Sequence, residues 1–238
     1  MGGLDCVVVD DLPEGGKPSL LVVLCHGFGA GGDDLVSLGG ELLRGTEALA
    51  GKVRFVFPAA PLSLAEYGYG DARAWWLIDM MRLQRLQQGG PDALKALREE
   101  IPEGLAKARK LLLALVDELS RTTGLPLGKI VLGGFSQGAM LATDVALRLE
   151  EAPAALVAMS GTLLCEGEWR KRAPLRKGLA VFQSHGRQDL ILPFANATAL
   201  KELLEGAGLT VEFLPFNGPH TIPAEALEKI GALLSKKL

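Results

Sequence analysis

The sequence predicts an α/β fold, a mostly parallel sheet with helices on both faces. Three observations lead there. Short apolar runs of strand length recur along the chain, as parallel strands covered on both sides require. Stretches with helical spacing separate these runs, and such alternation marks βαβ units. The 238 residues, 48% of them apolar, suffice for a sizeable core and suit one domain over residues 1–238.

Cys6 to Val9 reads as the first strand, ended by Asp10-Asp11 and a glycine–proline turn from Pro13 to Pro18. Leu20 to Cys25 is a continuous apolar run, followed directly by His26-Gly27-Phe28-Gly29-Ala30-Gly31-Gly32. Asp33 and Asp34 are expected to cap a helix through Arg44. Val53 to Phe57 is another strand, stopped by Pro58 and Pro61. Residues 59–103 break the rhythm. Tyr67, Tyr69, Trp75 and Trp76 crowd together, an apolar stripe with Met80 and Met81 runs from Leu77 to Leu86, and a short helix carries Leu94, Leu97 and Ile101 up to Pro102. A small flap insertion is expected here, its methionines suited to varied chains.

A leucine-rich helix from Gly104 to Thr123 leads back to Ile130-Val131-Leu132, a buried strand. After it comes a helix with Leu141, Val145 and Leu149 spaced for one face. Strands follow at Ala155 to Met159, Ala180 to Ser184 and Val211 to Leu214. Helices span Asn196 to Glu205 and Ala224 to Leu234, the second opened by Pro223. The basic stretch from Arg170 to Lys177 is expected to be a solvated loop rather than a nucleic-acid patch.

Composition narrows the function classes. A net charge of −3 without a dense Lys/Arg cluster argues against a nucleic-acid partner. No run approaches the ~18 apolar residues of a membrane span, so no stable membrane insertion is expected. Cys6, Cys25 and Cys165 lack metal-ligand spacing and fit a reducing, cytoplasmic setting, and no secretory pattern opens the chain. Three scattered histidines offer no metal cluster, and no cofactor is expected.

Chemistry concentrates around Gly134-Phe135-Ser136-Gln137-Gly138, a G-x-S-x-G pentapeptide between a strand and a helix. In that context it reads as a nucleophile elbow, with the serine exposed above the sheet at a helix N-terminus. Serine needs a base. His26 precedes it and belongs to the glycine loop, and the acids between Ser136 and His185 do not follow a strand end. His220 lies in the loop after the last strand, and Asp189 follows the strand ending near Ser184, giving the chain order serine, acid, histidine. His220 would take the serine proton and Asp189 would orient the imidazole. Backbone N–H groups of Phe28 and Gln137 are placed to stabilise an oxyanion.

Together, His26 to Gly29, the Gly-Phe-Ser-Gln-Gly elbow, His185-Gly186-Arg187-Gln188-Asp189 and Gly218-Pro219-His220-Thr221-Ile222-Pro223 resemble the phospholipase/carboxylesterase family of α/β hydrolases. The resemblance spans nearly the whole chain in order. It implies an α/β-hydrolase fold with Ser136, Asp189 and His220 as catalytic residues and Phe28 and Gln137 as oxyanion donors. Trp75, Trp76 and Leu163, with Ile191, are the implied substrate-binding residues of an acyl pocket. Pro219 stands where the family commonly has glycine, and Leu190 where it commonly has proline. The function expected is a serine carboxylesterase acting on small acyl esters through an acyl-enzyme. The alternatives are an acyl thioesterase or lysophospholipase using the same residues, and, in another class, a catalytically inactive hydrolase-fold binding protein.

Overall fold

The computed structural model describes residues 1–87 and 89–238. In chain order its elements are β1 (Cys6–Val9), β2 (Leu20–Cys25), α1 (Val36–Gly45), β3 (Val53–Pro58), β4 (Leu62–Ser63), β5 (Arg73–Ala74), α2 (Met80–Gln87), α3 (Gly90–Glu99) and α4 (Leu105–Thr123). Then come β6 (Ile130–Phe135), α5 (Gln137–Ala146), β7 (Ala155–Met159), α6 (Glu166–Arg172), β8 (Ala180–Gly186), α7 (Phe194–Gly206), β9 (Thr210–Phe216) and α8 (Ala224–Ser235). Seven strands form one sheet in the order β1-β3-β2-β6-β7-β8-β9. Only β1 is antiparallel, pairing Val8 with Val56. The strand order reverses between β2 and β6, where Val23 faces Leu132 and Cys25 faces Gly134. At such a switch point the loops leaving two neighbouring strands diverge and open a crevice.

The central strands are apolar throughout because both faces are covered. Along β2, Leu21, Val23 and Cys25 enter one core while Leu20, Val22 and Leu24 enter the other. Leu112 and Leu115 of α4, Leu141 and Val145 of α5 and Leu200 and Leu204 of α7 fill the first core. Leu42 of α1 and Ile230 and Leu234 of α8 fill the second. The helices are thus on both faces, and α4 buries Leu105, Ala108, Leu112, Leu115 and Leu119, the spacing of a single helical stripe.

Three local expectations are corrected. Asp33 and Asp34 do not cap α1: Leu35 occupies the cap, and the Val36 N–H is taken by the backbone oxygen of Asp33 at 3.0 Å. Leu149 is buried but lies beyond the end of α5. Glu166–Arg172 is a helix rather than a loop, laced by Arg170 to Glu166 at 2.6 Å, and Arg176 beyond it is buried, donating to the Ala146 carbonyl at 3.1 Å. The insertion at 59–103 consists of the two-stranded β4–β5 hairpin followed by α2 and α3.

Candidate active site

The turn between β6 and α5 is tight for a steric reason. A Cβ on Gly134 would sit 2.6 Å from the Gly138 carbonyl carbon, and one on Gly138 would sit 2.6 Å from the His26 oxygen, so the end of β2 and the start of α5 touch backbone to backbone. The compression forces Ser136 to φ 54° and ψ −118°, a conformation L-residues rarely adopt. Its N–H is held by the Met159 carbonyl at 2.9 Å. Gly27 passes directly alongside, where a Cβ would lie 3.3 Å from the Ser136 Cβ.

Among the described residues, the N–H groups of Phe28 and Gln137 have no hydrogen-bond acceptor. Gln137 is the first residue of α5, so its N–H is one of the free groups at a helix start, where the dipole favours negative charge. Phe28 follows a loop that is braced from several sides. His26 Nδ1–H donates to the Gly27 oxygen at 2.8 Å, and its Nε2 accepts from Ala60 N–H at 3.0 Å. Trp75 Nε1–H donates to the His26 carbonyl at 2.9 Å. The Gly29 N–H reaches the Arg73 oxygen at 2.9 Å, tying the loop to β5. Burial lowers the His26 pKa against the smaller opposing pull of the Gly27 carbonyl, which keeps Nε2 free to accept.

The Gln137 side chain does work that sequence patterns did not reveal. Fully buried, it accepts from Trp75 N–H at 2.9 Å and donates to the Trp76 carbonyl at 2.8 Å. The flap backbone is therefore fastened to the residue after the serine.

Asp189 and His220 meet at the same sheet edge. His220 Nδ1 approaches Asp189 Oδ2 at 2.6 Å, and the imidazole packs at a tilt of 48° against Phe135, the residue before Ser136, with ring centroids 4.7 Å apart. Among the described residues the Ser136 hydroxyl has no hydrogen bond to the ring; catalytic contacts of this kind often close only around substrate. Asp189 Oδ1 accepts from the N–H groups of Ile191 and Leu192, each at 2.8 Å. Burial pushes the Asp189 carboxyl upward, but hydrogen bonds from His185, His220 and Leu192 outweigh it and hold the group well below the usual carboxylate range. The histidine loop is secured by Ser160 Oγ donating to the Thr221 oxygen at 3.0 Å and by Gln188 N–H donating to the Gly218 oxygen at 3.1 Å. His185, set aside as a base in the sequence, lies 3.2 Å from Asp189 Oδ2.

A cavity of about 240 Å³ is walled by Trp76, Met140, Leu163, Leu192 and, from the flap, Ile78 and Leu83; Ser136, Asp189 and His220 do not line it, and Leu192, three residues after Asp189, is its nearest link to them along the chain. Its outer wall carries Arg82 of α2 paired with Glu100 at 2.7 Å. Of the four candidate pocket residues, Trp76 and Leu163 line it. Trp75 does not: its indole turns to the His26 carbonyl and packs against the His26 ring. Ile191 is 43% exposed and borders a separate shallow groove with Leu190, Met80 and Met81. Among the described residues no helix is long and apolar enough to cross a membrane.

A family model described as Phospholipase/Carboxylesterase matches residues 12–238. The chain belongs to the phospholipase/carboxylesterase family. Curated relatives of this chain include acyl-protein thioesterase 1 of Neurospora crassa, 26% identical over 95% of this chain and 90% of that protein. Acyl-protein thioesterase 1 of Mycosarcoma maydis is 28% identical over 94% and 93%. Among solved structures, esterase PE8 is similar with a TM-score of 0.80 and 28% identity, covering 99% of both chains. A carboxylesterase of Bacillus cereus, at 20% identity and a TM-score of 0.70, shares the α/β-hydrolase fold.

Proposed function

We propose that this family member is a serine carboxylesterase that cleaves small acyl esters through an acyl-enzyme. The observation that carries this reading is the 2.6 Å Asp189–His220 pair, its imidazole packed against the residue that precedes Ser136. In the proposed reaction His220 Nε2 removes the Ser136 hydroxyl proton as Oγ attacks the ester carbonyl. The carbonyl electrons move onto oxygen, where the Phe28 and Gln137 N–H groups receive the charge. The His220 proton passes to the departing alcohol, and a water then repeats the sequence to free the acid and restore Ser136. Asp189 stays ionised and stabilises the imidazolium formed at each step.

A second reading is supported by the apolar cavity and by the thioesterase names of the curated relatives: the same residues acting on acyl thioesters or lysophospholipids. A fluorophosphonate probe and a panel of acyl esters and thioesters of graded length test both. Labelling at Ser136 alone, with turnover lost in Ser136→Ala, is the expected outcome. Persistent turnover in that variant removes the serine mechanism, and faster thioester than ester cleavage at matched chain length moves the assignment to the second reading.

A further inference from the structure

Two imidazoles meet one carboxylate oxygen. His185 ends within β8, is fully buried, and places Nε2 at 2.9 Å from the Leu192 carbonyl oxygen and 3.2 Å from Asp189 Oδ2. His220 approaches the same Oδ2 from the other side at 2.6 Å. A carbonyl oxygen only accepts, so the His185 hydrogen sits on Nε2, shared between Leu192 and the carboxylate. The other nitrogen, Nδ1, is buried without a partner, so a second proton there would be stranded. The surroundings thus satisfy a single tautomer, Nε2–H. An orphaned buried nitrogen destabilises a fold, and phenylalanine would fill the same space without one. What the imidazole offers in return is its Nε2–H.

We propose that His185 is a positioning residue that aims Asp189 at His220; the inference rests on the reading of Asp189 and His220 as orienting acid and base. The two backbone donors on Oδ1 come from Ile191 and Leu192, in the same loop as Asp189 itself. They fix the carboxylate to the loop but not to the sheet. His185 belongs to the strand. Its one N–H binds both Oδ2 and the Leu192 carbonyl, so it registers carboxylate and loop together against β8. Without it Oδ2 is free to turn from His220, and the base loses its fixed tautomer, while among the cavity-lining residues His185 hydrogen-bonds only the Leu192 backbone and leaves Trp76 and Leu163 in place.

The test uses the full chain. His185→Phe keeps ring size and removes the donor, whereas His185→Gln puts an amide N–H near the Nε2 position. The expected result is a kcat about tenfold to a hundredfold lower in the Phe variant, the usual weight of a hydrogen bond to a charged group. KM should stay within about twofold, and the Gln variant within about threefold of wild type in kcat. The low-field proton resonance of the Asp189–His220 hydrogen bond should persist in the Gln variant and vanish in the Phe variant. Wild-type kcat in the Phe variant, or equal losses in both variants, overturns the proposal. Should His185→Phe not fold, His185→Asn, whose shorter amide falls short of Oδ2, takes its place against His185→Gln with the same two outcomes. Asp189→Asn and His220→Ala run in parallel separate the two levels. If those variants keep turnover, the triad reading fails; if they lose it while His185→Phe does not, only this inference fails.

Discussion

At the scale of single residues, the site depends on where side chains are missing. A methyl at position 138 would meet the backbone oxygens of Cys25 and His26, and Cys25 cannot retreat without breaking the β2–β6 ladder. Gly138→Ala should therefore destabilise the protein by about 3 kcal/mol or more, read from its urea midpoint, because overpacking against backbone has no cheap relaxation. Gly27→Ala meets only the Phe135 ring and the Ser136 Cβ at 3.3 Å and should cost less stability but more activity. Asp189→Asn keeps shape and loses charge. By analogy with other serine hydrolases it should lower kcat by about 10⁴, and it should also lower the urea midpoint because the ionised carboxylate is favoured by folding. These positions were legible in the sequence because a G-x-S-x-G turn and the order of serine, acid and histidine are written in residue type. His185 was not. Its contact with Asp189 depends on burial and on a loop folding back four to seven residues later, neither of which a one-dimensional pattern encodes.

At the scale of elements, the flap is anchored through Gln137 to the turn that carries Ser136. Gln137→Ala would strand the buried Trp75 N–H and Trp76 carbonyl, each costing about 1–3 kcal/mol. The expected outcome is a lower urea midpoint together with faster amide exchange in β4, β5 and the Trp75–Trp76 segment; unchanged exchange there argues against the anchor. The cavity under α2 and α3 should discriminate by length. Each methylene buried there is worth about 0.8 kcal/mol, so kcat/KM should rise about fourfold per carbon until the space is full and then level off. A flat response to chain length would show that the cavity does not hold the acyl group. The strands and long helices of this layer were readable because burial on both faces leaves uninterrupted apolar runs. Helix α6 was not, since its basic run resembles a solvated segment; the Glu166-to-Arg170 spacing of four was the signal available. Trp75 likewise looked like pocket lining because residue type alone does not tell an indole that fills a core from one that faces a ligand.

Across the whole molecule, we propose that the two cores joined by one sheet unfold together. Calorimetry should then give a single transition with matching calorimetric and van't Hoff enthalpies. Acid should weaken the protein in two stages. His26 has a folded pKa below its unfolded value, so the unfolded chain binds more protons just below about pH 6.5. Its contribution is complete above that pH and is lost as pH falls through the folded value. The Asp189 carboxyl is also lowered on folding, so its contribution is complete above about pH 4 and is lost in stronger acid. Urea midpoints measured between pH 8 and 3 should show both declines, and His26→Gln should abolish the upper one. A wild-type midpoint unchanged from about pH 7 to 5 would contradict the first stage.

The Arg82–Glu100 pair on the outer side of the cavity has a wider consequence. Its side chains are 48% and 32% exposed, and ion pairs so open to water contribute about 0–1 kcal/mol. A latch that weak lets thermal motion part α2 from the segment after α3, and dissolved salt screens what attraction there is. Under the proposed function, ionic strength then tunes how readily bulky acyl tails enter: added sodium chloride should speed cleavage of long-chain esters and leave acetyl esters unaffected.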